Sequence, residues 1–131
     1  MTQKITKLVD DFTFEESGYE RGNNYWKAET LYDYVKKKKL KPFKLPLAGV
    51  DLSKAYRPFD NYNLDSIIYQ IKRVNNCNVE IPIILDNIGQ IADGLHRIVK
   101  AISMDREYIM AYRLTEMPTP DEITENKNDN E

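Results

Sequence analysis

Cysteine and histidine each occur only once in the 131 residues of this chain. A single Cys77 cannot close an intramolecular disulfide, and one histidine with one cysteine cannot supply the usual zinc ligand sets, so zinc is not expected. Cys77 stands in the polar stretch Asn75-Asn76-Cys77-Asn78, with no basic neighbour in sequence to favour a thiolate, which argues against a reactive thiol. Long apolar runs are missing too. Nothing approaches the roughly 20 residues that cross a bilayer, and the first residues lack the unbroken apolar block of a secretory signal. The expectation is a cytoplasmic protein with no membrane contact. Neither sign of charge prevails, since 19 basic and 21 acidic residues leave a net charge of −2. That sum neither favours nor excludes nucleic acid, because the placement of charge decides.

What is present suits a single globular domain: 41% hydrophobic and 31% charged residues, on a length that supports one core. Residues 1–24 mix Ile5, Leu8, Val9, Phe12 and Phe14 with clustered acids and a Gly-Tyr-Glu-Arg-Gly turn, and read as a partly docked arm. Residues 118–131 read as a disordered acidic tail, because from Asp121 onward Ile123 is the only large apolar side chain. Residues 25–117 remain as the domain.

Within it, Ala28, Leu31, Tyr32 and Val35 fall at i, i+3, i+4 and i+7, which predicts a helix over 25–38 capped by Asn23 or Asn24 and ending in Lys36 to Lys39. Phe43, Leu45 and Leu47 alternate as in a half-buried strand, and Pro46 suggests an edge. Leu64, Ile67, Ile68 and Ile71 predict a second helix over 64–74, with Asn63 as cap and Asp65 in its first turn. Ile81-Pro82-Ile83-Ile84-Leu85 reads as a buried strand, Asp86 to Gly89 as a turn, and Gln90-Ile91-Ala92 as a short returning strand. Leu95, Ile98, Val99 and Ile102 mark a third helix starting at Asp93 or Gly94, and 108–114 is a closing strand. Interleaved strands and helices predict a small mixed sheet with helices packed on it, an α+β fold.

The start of the third helix carries the strongest chemical signal. Gly94 leaves the backbone open to close approach, and the first-turn amides have no partner inside the helix. Those amides and the helix dipole attract anions, so a phosphate is expected over Gly94, Leu95, His96 and Arg97. Arg97 offers a fork for phosphate oxygens and His96 a donor or a titratable proton carrier. Asp93 could cap the helix, orient His96, or join Asp86 or Glu80 around Mg²⁺. Against this stands a plainer possibility, an ordinary Asp-Gly cap with a solvent-facing His-Arg pair. An arginine at a helix amino terminus, however, opposes the dipole unless an anion is near. A second feature is the basic run Lys36, Lys37, Lys38, Lys39 and Lys41, followed by Pro42-Phe43-Lys44. It can follow a nucleic-acid backbone or simply be a solvated helix end. Tyr25, Trp26, Tyr32 and Tyr34 are candidates for stacking on bases, or for core and interface.

The stretch from Ile81 to Ala101, with its Pro-Ile strand, Asp-x-x-Gly turn, short strand and Asp-Gly-Leu-His-Arg helix start, resembles the ParB/sulfiredoxin-like superfamily. The resemblance covers about a quarter of the chain closely. It is weaker upstream, over Leu45 to Leu52 and the 64–74 helix, and the 25–38 helix lies outside the shared core. It implies that Gly94, His96 and Arg97 bind nucleotide phosphate, with Asp93 as an acid or metal-associated residue. Leu95 stands where sulfiredoxins need cysteine and where the similar serine kinases have a second histidine, so a sulfiredoxin is not expected and kinase chemistry lacks support. No partition-type Glu-Arg-Arg box follows. The expected function is therefore a nucleotide- or nucleic-acid-phosphate-binding domain. Nuclease, NTPase or kinase activity with a nucleoside triphosphate and Mg²⁺ is the catalytic form of that reading, with Asp93, His96 and Glu80 as catalytic groups and Asp86 and Asp93 as metal ligands. The alternative is a non-catalytic module that keeps the fold and engages a protein partner.

Overall fold

The computed structural model describes residues 18–52 and 63–125. Its first element is a β-hairpin of β1 (Gly18–Arg21) and β2 (Asn24–Lys27), joined by Gly22 and Asn23. Gly22 takes the positive φ (+62°) that a glycine at the first central position of a two-residue hairpin supplies. α1 (Ala28–Lys38) follows directly, and β3 (Phe43–Pro46) leads into a short 3₁₀ turn, Leu47–Gly49. α2 spans Leu64–Asn76; β4 (Ile83–Leu85) and β5 (Ile91–Asp93) form a second hairpin; α3 (Leu95–Ser103) and β6 (Tyr108–Arg113) come next, and β7 (Glu122–Ile123) closes the described chain.

These elements make an α+β fold with two sheets. β1, β2 and β7 form an antiparallel sheet in that order. The central sheet runs β3-β6-β4-β5, with β4 and β6 parallel across the α3 crossover and the other pairs antiparallel. Strand alternation divides the core in two. Ile83, Leu85, Ile109 and Ala111 pack with Ile98 and Ala101 of α3, whereas Ile84 turns the other way to Trp26, Leu31, Tyr34, Val35, Ala92 and Leu114. β4 is therefore buried on both faces, which its unbroken apolar run anticipated.

The sequence reading of the first helix is corrected at its start. Tyr25 and Trp26 belong to β2, and Trp26 is 2% exposed. Neither Asn23 nor Asn24 caps the helix. Lys27 occupies the cap position with no side-chain cap bond, and Asp121 Oδ2 tethers this start by accepting from Lys27 N at 2.8 Å and Thr30 Oγ1 at 2.7 Å. This long-range tether also corrects the expected tail. Residues 118–125 are docked, with Pro118 O accepting from the Trp26 indole at 2.7 Å, Asp121 N donating to Tyr25 O, and β7 pairing with β2. Apolar content underestimated this segment because backbone and polar bonds hold it. Residues 1–17 of the expected arm and 126–131 of the tail lie outside the described residues.

α2 starts where expected. Asn63 Oδ1 accepts from Asp65 N at 2.9 Å and from Ser66 N at 3.4 Å. Its apolar side, however, leaves Leu64 and Ile71 exposed, and no residue of α2 is fully buried. β3 is an edge strand of its sheet, consistent with Pro46 at its end.

Candidate functional site

The β4-β5 hairpin and α3 place the motif residues on two sides of one turn. Gly94 precedes the helix at φ +117°, a conformation that an L side chain adopts only under strain. It also passes so close to Ile83 that a Cβ would overlap that side chain. Glycine is needed here on both counts, and having no side chain it cannot cap the amides of Leu95, His96 and Arg97. The first intrahelical bond runs from Ile98 N to Gly94 O at 3.0 Å.

Asp93 and Arg97 turn inward together. One terminal guanidinium nitrogen donates to the carbonyls of Ile81 and Pro82, both at 2.9 Å. The other donates to Asp93 Oδ2 at 2.6 Å and to the Tyr32 hydroxyl at 2.9 Å. Tyr32 in turn donates to Pro82 O at 2.9 Å and contacts Asp93 Oδ2 at 3.2 Å. The side chains of Arg97 and Asp93 are only 12% and 14% exposed. Burial pushes the Tyr32 hydroxyl up to about 12, although the Arg97 charge works the other way, so this donor keeps its proton near neutrality. Both forks of Arg97 are thus engaged within the protein, and the anion that an arginine requires beside a helix amino terminus is Asp93. The expected phosphate fork of Arg97 is therefore corrected to an internal clamp.

His96 turns toward α2. Its Nε2 lies 2.6 Å from Gln70 Oε1, an arrangement in which the ring nitrogen donates to the amide oxygen. Burial, and secondarily the charge of Arg73, lowers its pKa from 6.5 to about 4. The imidazole is accordingly neutral at pH 7, with its proton fixed on Nε2 by Gln70. Lys100, one helical turn on, donates to Asn75 O and Cys77 O at 3.0 and 2.8 Å. α2 and α3 therefore lie side by side in the same direction.

No family model, curated protein or solved structure matches the chain. Geometry alone must carry the reading of the site.

The carboxylates expected around a metal do not come together. Asp86 N bonds Gln90 O, whereas Asp93 pairs with Ile84, so the two acids sit at opposite ends of the hairpin, on the order of 10 Å of strand apart. Asp86 is fully buried. Its carboxylate accepts from the Tyr19 hydroxyl (2.8 Å), Arg21 (3.1 Å), Ile88 N (3.0 Å) and Gln90 N (2.8 Å). Burial alone would raise its pKa, but these donors outweigh it and hold the group below the usual carboxylate range. Asp86 is a turn-holding residue, and Asp86 with Asp93 does not fit a joint Mg²⁺ site. Glu80 is exposed and turned to Arg106 at 2.6 Å, beyond the carboxyl end of α3 and not toward His96. The Arg106 hydrogen bond and charge hold its carboxyl low. Among the described residues no three His, Cys, Asp or Glu side chains gather as metal ligands.

Of the aromatic residues offered for base stacking, Trp26 and Tyr34 are core and Tyr32 is part of the Arg97 clamp. The basic run is on the surface: Lys36, Lys37 and Lys38 end α1, Lys39 adopts the left-handed cap conformation (φ 53°), and Lys41 leads into β3. Sequence reasoning missed the roles of Tyr32 and Gln70. Tyr32 was hidden in the apolar stripe of α1. For Gln70 the signal was a polar residue three positions after Ile67, in a helix otherwise read for its apolar side.

Proposed function

We propose that this chain is a nucleotide-phosphate-binding domain of the ParB/sulfiredoxin-like kind, with the phosphate over the first turn of α3. The observation that carries this reading is the uncapped backbone turn at Gly94, held in shape by Ile83 on one side and by the Asp93–Arg97–Tyr32 clamp on the other. Oriented amides and the helix dipole favour phosphate oxygens there. His96, neutral and oriented by Gln70, adds a polar ring beside the turn. Arg97 acts in this reading by fixing the turn, and the ligand is bound through backbone. Mg²⁺ enters as the counter-ion of a nucleoside triphosphate. Phosphoryl transfer or phosphodiester cleavage has less support, because Glu80 and Asp86 are committed elsewhere.

Calorimetric titration with ATP, CTP and GTP, with and without Mg²⁺, tests the proposal when paired with amide chemical shifts. Saturable binding that moves the Leu95, His96 and Arg97 amide resonances is expected. Silence from all three nucleotides, or shifts confined to another region, overturns it. The exposed Leu64 and Ile71 of α2 favour the second reading, a protein-interaction module. In that case the loss of a biological effect would follow substitutions on α2 and not His96→Ala.

A further inference from the structure

Between Asp33 and Asp51 the chain has no acidic residue and six lysines, Lys36 to Lys39, Lys41 and Lys44. The fold keeps this block together. It covers the last turn of α1, its left-handed cap and the edge strand β3, and all six lysines are exposed. Successive helical residues are 100° apart, so Lys36 to Lys38 fan around the helix end while Lys41 and Lys44 continue along the connecting strand. Among the described residues no ion pair engages any of the six. The net charge of the chain is −2 although this block alone carries six positive charges, so the remainder is negative by eight. Positive charge is concentrated in this block, which contains the longest lysine run in the sequence.

One aromatic ring lies on the face of Lys44. Tyr108 of β6, 42% exposed, has the Lys44 ammonium 4.7 Å above its ring, whereas Phe43 pairs with buried Ala111 and projects from the opposite face of the sheet. An anionic partner with flat faces uses both features: phosphates meet the lysines, and a base finds the Tyr108 ring on which to stack. A lipid surface would need an apolar stripe beside the charges, but Leu31, Tyr34 and Val35 of α1 are buried in the core.

From this lysine block, whose Lys44 reaches the exposed ring of Tyr108, we infer that the α1–β3 corner is a docking surface for single-stranded nucleic acid. The surface is separate from the α3 turn, and the inference does not rest on nucleotide binding there. Fluorescence anisotropy of a labelled 20-nucleotide single strand, with titrations from 50 to 200 mM salt, tests it. Contact with about four phosphates predicts a log–log salt slope near −3. The K37A/K39A/K41A variant should weaken binding at least tenfold at about 50 mM salt and flatten the slope by about 2, with its far-ultraviolet spectrum unchanged. Tyr108→Ala should weaken binding several-fold at an unchanged slope, and neither variant should alter mononucleotide titrations. The inference is overturned by no binding at the lowest salt, or by lysine-variant affinity equal to the parent's. It is equally overturned if duplex, polyglutamate or phosphatidylserine vesicles bind as tightly as the single strand.

Discussion

Replacing Arg97 by alanine separates a clamp from a ligand-binding arginine. The guanidinium makes four hydrogen bonds, to Ile81 O, Pro82 O, the Tyr32 hydroxyl and Asp93 Oδ2, and both members of the ion pair are nearly buried. Breaking a fully buried pair costs about 3–5 kcal/mol, mainly by stranding the remaining charge. Here Asp93 keeps the Tyr32 contact and slight solvent access, so a loss of about 2–4 kcal/mol is expected, a large share of a total of about 5–15 kcal/mol. Urea unfolding followed by the fluorescence of Trp26, the only tryptophan and a buried one, measures it directly. Arg97→Lys keeps the charge but not the fork across four acceptors, and should fall between parent and alanine. In the Arg97→Ala background, Asp93→Asn should recover part of the loss by neutralising the stranded carboxylate. An Arg97→Ala protein within about 0.5 kcal/mol of the parent would refute the clamp, since ordinary surface substitutions cost no more than that.

Three further outcomes follow from the same geometry. With His96 lowered from 6.5 to about 4, the unfolded chain binds a proton between those pH values that the folded chain does not. Stability is therefore full above pH 6.5 and declines toward pH 4. At about 1.4 kcal/mol per pH unit a sealed ring would give ~3 kcal/mol, and partial solvent exposure reduces this to about 1–2 kcal/mol. The urea midpoint of His96→Gln should lack that component between pH 4 and 6.5. Gly94→Ala combines a positive φ with overlap on Ile83 and should cost about 2–5 kcal/mol by chemical denaturation. Asp121→Ala removes the carboxylate that tethers Lys27 N and Thr30 Oγ1 at the start of α1, and the amides of Lys27 to Thr30 should exchange several-fold faster while those of α3 do not change.

Periodicity was informative wherever an element buries one regular stripe or run. The Asn63 cap, the β4 run, the Asp86 to Gly89 turn and the α3 start all follow from local spacing, because the atoms that satisfy them lie within a few residues. The start of α1 was not legible. Its start is tethered by Asp121, and the Tyr25-Trp26 pair fits a helical stripe as well as a strand until β1 and β7 are placed beside it. The roles of the charged residues were equally non-local. Asp86 looked like an open oxygen ligand because its donors from Tyr19 and Arg21 are more than sixty residues away in sequence.

The Asp93 to Arg97 stretch reads in sequence as five residues with one purpose, but helical geometry divides it. Asp93 and Arg97 are four apart and meet on one side, where Tyr32 and the Ile81–Pro82 carbonyls receive them. His96 is rotated about 100° from Arg97 and faces Gln70 of the neighbouring helix. The ion pair thus shapes the turn from within while the glycine, the amides and the neutral imidazole form its other aspect. In the proposed site the positive potential for a phosphate comes from the peptide dipoles, because the nearest full positive charge is already neutralised by Asp93. Such a site would discriminate by shape and amide direction more than by charge, so binding there should weaken only mildly with salt, whereas binding at the lysine corner should weaken steeply.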